Sequence, residues 1–252
     1  MNVRIPFFGL FIASALCAFL LYTSADAQIN LQAGGGIGFV VASGDLSGTT
    51  VDFYNGTKYG FSNGYTLFAR ARGGVEVVNI MLEAAYTSFS SHGDTEAGQG
   101  SASLSQKIIT FKAGPEYTLV SLPAAPLKPY LGMNVQLNTF KGESTFNGVS
   151  RVPSGTYSIA SASRIGIGLE GGLLVSVMPG QQLDINISYN FMNAGSKEFN
   201  TVDPNQPRRS DSYLSLNDDA DPLFRSSDTI HFISDKRSIH TLMFTVSYLF
   251  GL

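Results

Sequence analysis

The chain has 252 residues, with 19 acidic and 16 basic side chains, a net charge of −3 and its basic residues scattered, so it lacks the electrostatic footprint of a nucleic-acid partner. Its only cysteine, Cys17, excludes a disulfide framework and a cysteine metal site. Abundant glycine, sparse charge and aromatics that are all Phe or Tyr suit β-structure packed closely on neighbouring backbone.

The chain opens with Arg4 and an almost unbroken apolar run from Ile5 to Tyr22, followed by the small-residue site Ala25-Asp26-Ala27. This is the pattern of a secretory signal peptide, so residues 1–27 are expected to be removed and residues 28–252 to form one domain, although the run is also long enough for an uncleaved anchor. Beyond Tyr22 no apolar stretch reaches the roughly 18 residues that a membrane-spanning helix needs.

From there the signal is alternation. The first segment, Leu31 to Val41, is glycine-rich. In the second, Tyr65, Leu67, Ala69, Ala71, Val75 and Val77 oppose Thr66, Arg70, Arg72 and Glu76; in the third, Ile80, Leu82, Ala84 and Tyr86 oppose Glu83. The fourth sets Ile109, Phe111, Ala113, Tyr117 and Leu119 against Thr110, Lys112, Glu116 and Thr118, and the fifth sets Leu131, Met133, Val135 and Leu137 against Asn134, Gln136 and Asn138. In the sixth, Ile165, Ile167, Leu169, Leu173, Val175 and Val177 oppose Arg164, Glu170, Ser176 and three glycines. The seventh alternates Leu183, Ile185, Ile187, Tyr189 and Phe191 with Asp184, Asn186, Ser188 and Asn190; the eighth alternates Leu242, Phe244, Val246, Tyr248 and Phe250 with Thr241, Met243, Thr245 and Ser247. Period two over eight such segments predicts eight strands, each with one apolar and one polar face.

Connections alternate too. Short ones fall near 78–79, at 120–128 and at 178–181; long polar ones fall at 43–62, 91–103, 143–158 and 195–237. All nine charges assigned to strand cores lie on the polar face: Arg70, Arg72, Glu76, Glu83, Lys112, Glu116, Arg164, Glu170 and Asp184. Lys107 and Lys141 have the opposite parity, at loop margins. Outward rings gather at both strand ends, with Tyr117, Tyr130, Tyr248 and Phe250 at the short-turn end and Tyr65, Tyr86, Tyr189 and Phe191 at the long-loop end. Apolar outside, charged inside and two aromatic belts predict an all-β, eight-stranded antiparallel up-and-down barrel spanning a membrane, closed because lipid forbids open sheet edges.

The runs Ala113-Gly-Pro-Glu-Tyr-Thr-Leu119 and Lys128-Pro-Tyr-Leu-Gly-Met-Asn134, and the hairpin Gly168–Leu173 to Ile185–Tyr189, resemble the outer-membrane β-barrel-domain superfamily, which includes the OmpA-type transmembrane domain and the PorT-like proteins. The stretch His240–Phe250 resembles the terminal signal read by the barrel-assembly machinery, with Phe244, Val246, Tyr248 and Phe250 as its apolar positions and Gly251 and Leu252 following. The resemblance implies a bacterial outer-membrane location, outer-membrane lipid and lipopolysaccharide as surroundings, and the assembly machinery as a partner.

A narrow barrel is filled by side chains, so the nine lumen charges are expected to pair as a plug; a narrow passive channel is the alternative. Ser238-Ile-His240 near the loop end has the residue types of a lipid-modifying enzyme, but the sequence fixes no acidic partner for His92, His231 or His240, and no catalytic role is assigned. Asn217–Asp221 lacks the glycine and distal glutamate of a calcium loop, and Gly34–Gly38 is not followed by the helix of a nucleotide loop. No metal or cofactor is expected. The expected role is structural or surface-interacting, with any external ligand met at 43–62, 91–103, 143–158 or 195–237.

Overall fold

The computed structural model describes residues 30–54, 58–75, 77–95, 99–119, 127–149, 154–195 and 238–252. The signal segment, Glu76, His231 and Asn217–Asp221 lie outside the described residues. Eight strands follow in order: β1 Asn30–Gly44, β2 Asn63–Val75, β3 Val78–Asp94, β4 Ser101–Thr118, β5 Leu127–Asn147, β6 Gly155–Met178, β7 Gln181–Phe191 and β8 Ile239–Gly251. Each pairs antiparallel with its chain neighbours, and β8 closes on β1, so the expected up-and-down barrel forms. A five-residue helix, α1 (Thr50–Tyr54), interrupts the first long connection; the alternation gave no sign of it.

Following paired residues once around from Asn30 through Gly74, Asn79, Glu116, Gly132, Glu170, Ser188 and Met243 arrives at Val40, a stagger of ten residues. With standard strand spacings that stagger tilts the strands by about 40° and makes each paired row climb about 3 Å per strand from β1 to β8. The backbone radius is then about 8 Å, which leaves room for side chains and little else. On this geometry the outward apolar positions, from Leu31 and Phe250 up to Tyr65 and Ile165, form a band about 25 Å tall, the height of a hydrocarbon core crossed by a barrel.

The glycines of β1 have a packing reason. A Cβ built on Gly34 would overlap the Tyr248 carbonyl oxygen, and one on Gly36 would overlap the Val246 carbonyl oxygen, so the closing seam requires this face of β1 to be bare.

Two expectations are corrected. Tyr130 faces inward and is 1% exposed, so it is not part of the outer belt; Tyr117, Tyr248 and Phe250 remain outside at that end. Its even number already gave it the parity of Asn134 and Gln136. The second concerns the connections at 91–103 and 143–158. Most of each is strand, because β3 runs to Asp94, β4 begins at Ser101, β5 runs to Asn147 and β6 begins at Gly155. These four strands outrun the roughly 9–11 residues needed to cross a bilayer.

Above the band the alternation inverts. On β4 the outward series Phe111, Ile109 gives way to Lys107, Ser105 and Ser103, while the inward series Lys112, Thr110 gives way to Ile108, Leu104 and Ala102. Water replaces lipid outside, so the apolar residues turn inward. There Phe89, Ile108, Leu104, Phe140, Phe146 and Met192 form one buried cluster. A register shift between Phe140 and Gly142 reverses the parity of β6 and brings Tyr157 onto Phe146, their rings 6.1 Å apart.

Candidate functional site

The described lumen charges assemble mainly in the lower half of the barrel, and Arg70 is their centre. Its Nε and Nη2 donate to Glu83 Oε2 at 2.9 and 2.6 Å, and its Nη1 donates to Asp184 Oδ2 at 2.6 Å. Nη2 also lies 3.5 Å from Glu170 Oε2. Lys112 Nζ stands 2.9 Å from the other Glu83 oxygen. Strand register explains the cluster: Arg70 lies opposite Glu83 and Glu83 opposite Lys112, so three neighbouring strands deliver alternating charge to one row. Arg72 pairs separately with Glu116 at 2.5 Å, near the turn end. All of these side chains are essentially buried.

Tyr130 joins the two groups. Its hydroxyl donates to Asp184 Oδ1 at 2.8 Å and accepts from Asn186 Nδ2 at 2.8 Å, while the Arg72 guanidinium lies 4.4 Å from its ring centroid. Asn134 and Asn186 donate to the two oxygens of Glu170, each at 3.2 Å. Sequence reasoning placed the amides on the polar face but gave neither Tyr130 nor these amides a part in the charge cluster. Arg164 stands above the cluster, opposite Asn138, with its Nη1 donating to the Ser163 carbonyl at 2.9 Å.

The lumen is filled above the charges as well. Leu46, Phe53, Tyr54, Tyr59 and Phe61 of the first connection are buried in the inverted apolar cluster. Phe53 stacks on Phe146 at 6.1 Å, and Phe61 packs on Phe89 at 5.8 Å. Thr49 and Asp52 cap α1 reciprocally: the Thr49 N–H and hydroxyl donate to Asp52 Oδ2, and the Asp52 N–H donates back to Thr49 Oγ1. The Thr49 backbone N–H, followed by its hydroxyl, holds the Asp52 carboxyl below its ordinary value. Thr50 Oγ1 ties the helix to the Asp94 carbonyl at 2.7 Å.

At the rim, Ser238 Oγ and His240 Nε2 are 3.0 Å apart, and His240 Nδ1 faces the Tyr189 hydroxyl at 3.0 Å. The nearby carboxylate, Asp45, instead accepts from the Ser238 backbone N–H at 2.6 Å. A phenol where a serine hydrolase places an acid cannot stabilise an imidazolium by charge. His92 bonds Ser103 at 2.7 Å, on the outer wall of β3 and β4. Among the described residues, no group of three or more His, Cys, Asp and Glu side chains converges as a metal site. On β8, Phe244, Val246, Tyr248 and Phe250 all face outward, and the Tyr248 and Phe250 rings lie 5.0 Å apart at the turn end.

A family model described as the outer membrane protein beta-barrel domain matches residues 11–215. The chain belongs to the outer membrane protein beta-barrel domain family. Membership makes it a bacterial outer-membrane barrel protein, in agreement with its closed sheet and apolar band. Among solved structures it is similar to Neisserial surface protein A, at 14% identity over 89% of this chain and 97% of that one, with a TM-score of 0.48. It is also similar to Ail, the attachment invasion locus protein of Yersinia pestis (10% identity, 90% and 99% coverage, TM-score 0.41). The N-terminal β-barrel domain of Pseudomonas aeruginosa OprF is a third (8% identity, 88% and 98% coverage, TM-score 0.39). No curated protein matches the sequence.

Proposed function

We propose that this outer-membrane protein is a surface-interaction scaffold: a sealed, rigid barrel that presents its long connections outside the cell and neither conducts nor modifies lipid. The observation that carries this reading is the double filling of the lumen. Ion pairs around Arg70 occupy its lower half, and the apolar cluster closed by the α1 connection occupies its upper end. Strands β3 to β6 continue past the apolar band, which carries their ends at Asp94, Ser101, Asn147 and Gly155 clear of the headgroups and gives a partner something to meet. Residues 1–27 direct export and are then removed, and insertion uses the barrel-assembly machinery.

Reconstitution in planar bilayers tests the function. The purified mature protein is expected to give no steady conductance and to leave the acyl content of added lipopolysaccharide unchanged. Steady ion current through the wild type would establish the passive-channel reading instead, and acyl release would establish an enzyme at the Ser238–His240 rim. The assembly role of β8 has its own test in cells. Phe250→Ala and Tyr248→Asp remove outward rings from the closing strand, and each is expected to lower the yield of the faster-migrating, heat-modifiable form severalfold. Wild-type yield in both would place the recognition signal elsewhere.

A further inference from the structure

Lys107 and Lys141 are the register partners of one another on the outer wall of β4 and β5, both exposed. Directly opposed like charges repel across a sheet, with Cβ atoms about 5 Å apart. One lysine at a membrane edge is ordinary, because its stem reaches along apolar surface to the headgroups. Two held face to face call for an anion between them. Neither makes an ion pair with a described acidic residue; Glu143, the nearest acid on that wall, is two residues further from the membrane, opposite Ser105. The row continues sideways through Ser88, the register partner of Lys107.

Height decides what that anion is. One outward step below Lys107 comes Ile109, and one outward step below Lys141 comes Thr139; below these lie Phe111 and Leu137, themselves paired. By the stagger of the sheet the lysines stand about 4–7 Å above the apolar band, at headgroup level. Beneath them a concavity of about 840 Å³ crosses the lipid-facing wall. Its floor is recessed because Ala69, Ala71, Ala84 and Ala113 carry only methyl groups, and Phe111 and Leu137 are among the residues that line it.

We propose that this wall binds one phosphorylated acyl lipid, with its phosphomonoester between Lys107 and Lys141 and its chains in the alanine-floored concavity. A phosphomonoester approaches two negative charges at neutral pH and so balances both lysines, whereas a phosphodiester carries one and leaves a lysine uncompensated. The concavity lets acyl chains approach the backbone more closely than large side chains permit. The proposal concerns the barrel wall and is independent of what the long connections bind.

The test uses the mature protein in phosphatidylcholine nanodiscs doped with phosphatidic acid or with phosphatidylglycerol of the same chains, and measures by native mass spectrometry which lipid stays bound. Phosphatidic acid is expected to be retained about fivefold better, the effect of one additional charge near two lysines. Lys107→Gln/Lys141→Gln is expected to abolish the preference, and Lys107→Arg/Lys141→Arg to keep it. Ala84→Leu/Ala113→Leu is expected to lower retention of both lipids by filling the concavity. Heat-modifiability of each variant checks that it is folded. Equal retention of the two lipids by wild type, or an unchanged preference in the glutamine pair, would overturn the proposal. So would full displacement of phosphatidic acid by millimolar inorganic phosphate, which would make this a phosphate site without a lipid.

Discussion

Arg70→Met is expected to destabilise the barrel by about 3–5 kcal/mol, read as an earlier urea-induced loss of the faster-migrating form in detergent micelles. The magnitude follows from what the substitution leaves behind. Arg70 donates to Glu83 and Asp184 and lies near Glu170, and all three carboxylates are closed off from bulk water. Methionine fills much of the same volume, so the loss is mainly one of charge compensation and hydrogen bonding. Pairing with Lys112 still serves Glu83, and Asn134 and Asn186 still serve Glu170. Among the described residues, Asp184 keeps only the Tyr130 hydroxyl. The double variant Arg70→Met/Asp184→Asn removes that orphaned charge and is therefore expected to be milder than the single one. Arg72 is a weaker choice, because among the described residues it pairs with the single carboxylate of Glu116 and otherwise lies against the Tyr130 ring. If the single and double variants unfold at the same urea concentration as wild type, lumen water compensates these charges and the pairs are not what hold the barrel.

How far the sequence reached depends on which solvent a residue faces. Where lipid lies outside, the rule has one sign, and period two placed Glu83, Lys112 and Asp184 inward and Ile167, Ile185 and Val246 outward. Closure, strand number and antiparallel order followed from it. Above the band the rule changes sign within a single strand. Phe89 and Leu104 have the same parity as Glu83 and Lys112, and against a lipid-facing template they read as the end of the pattern. The inversion was visible in the serines at 88, 90, 103 and 105, which occupy the outward parity on both strands of one hairpin. Membrane proteins with strands longer than the bilayer invite two templates per strand, joined where the apolar series changes face.

Long-range geometry was the other missing part. That Arg70 meets Asp184 across the barrel depends on the ten-residue stagger, which no local pattern encodes. The same stagger brings Tyr130 under Arg72 and carries α1 over Phe146. Helix α1 itself was detectable only through Thr49 and Asp52, a capping pair with no amphipathic run behind it, because five residues make little more than one turn.

Two cores stacked in one barrel lead to a separable result. Phe146→Ala is expected to release the α1 connection while leaving the membrane barrel intact. Phe146 is 1% exposed and is packed between Phe53 of α1 and Tyr157 of β6. Truncating a buried phenylalanine costs about 3–5 kcal/mol, and the cost falls on the unit that contains it. That unit is the inverted cluster above the band, which the ion pairs around Arg70 do not enter. Trypsin is the readout, since Lys58 is exposed while its N–H and that of Tyr59 are held by the Asp52 and Asp45 carbonyls. Cleavage after Lys58 is expected to accelerate on the order of a hundredfold in Phe146→Ala, with an unchanged urea midpoint for the heat-modifiable form. Arg70→Met is expected to do the reverse, lowering the midpoint while Lys58 stays protected. Were Phe146→Ala to lower the midpoint as far as Arg70→Met while Lys58 stayed resistant, lumen and cap would form one cooperative unit, and sealing would be a property of the whole barrel.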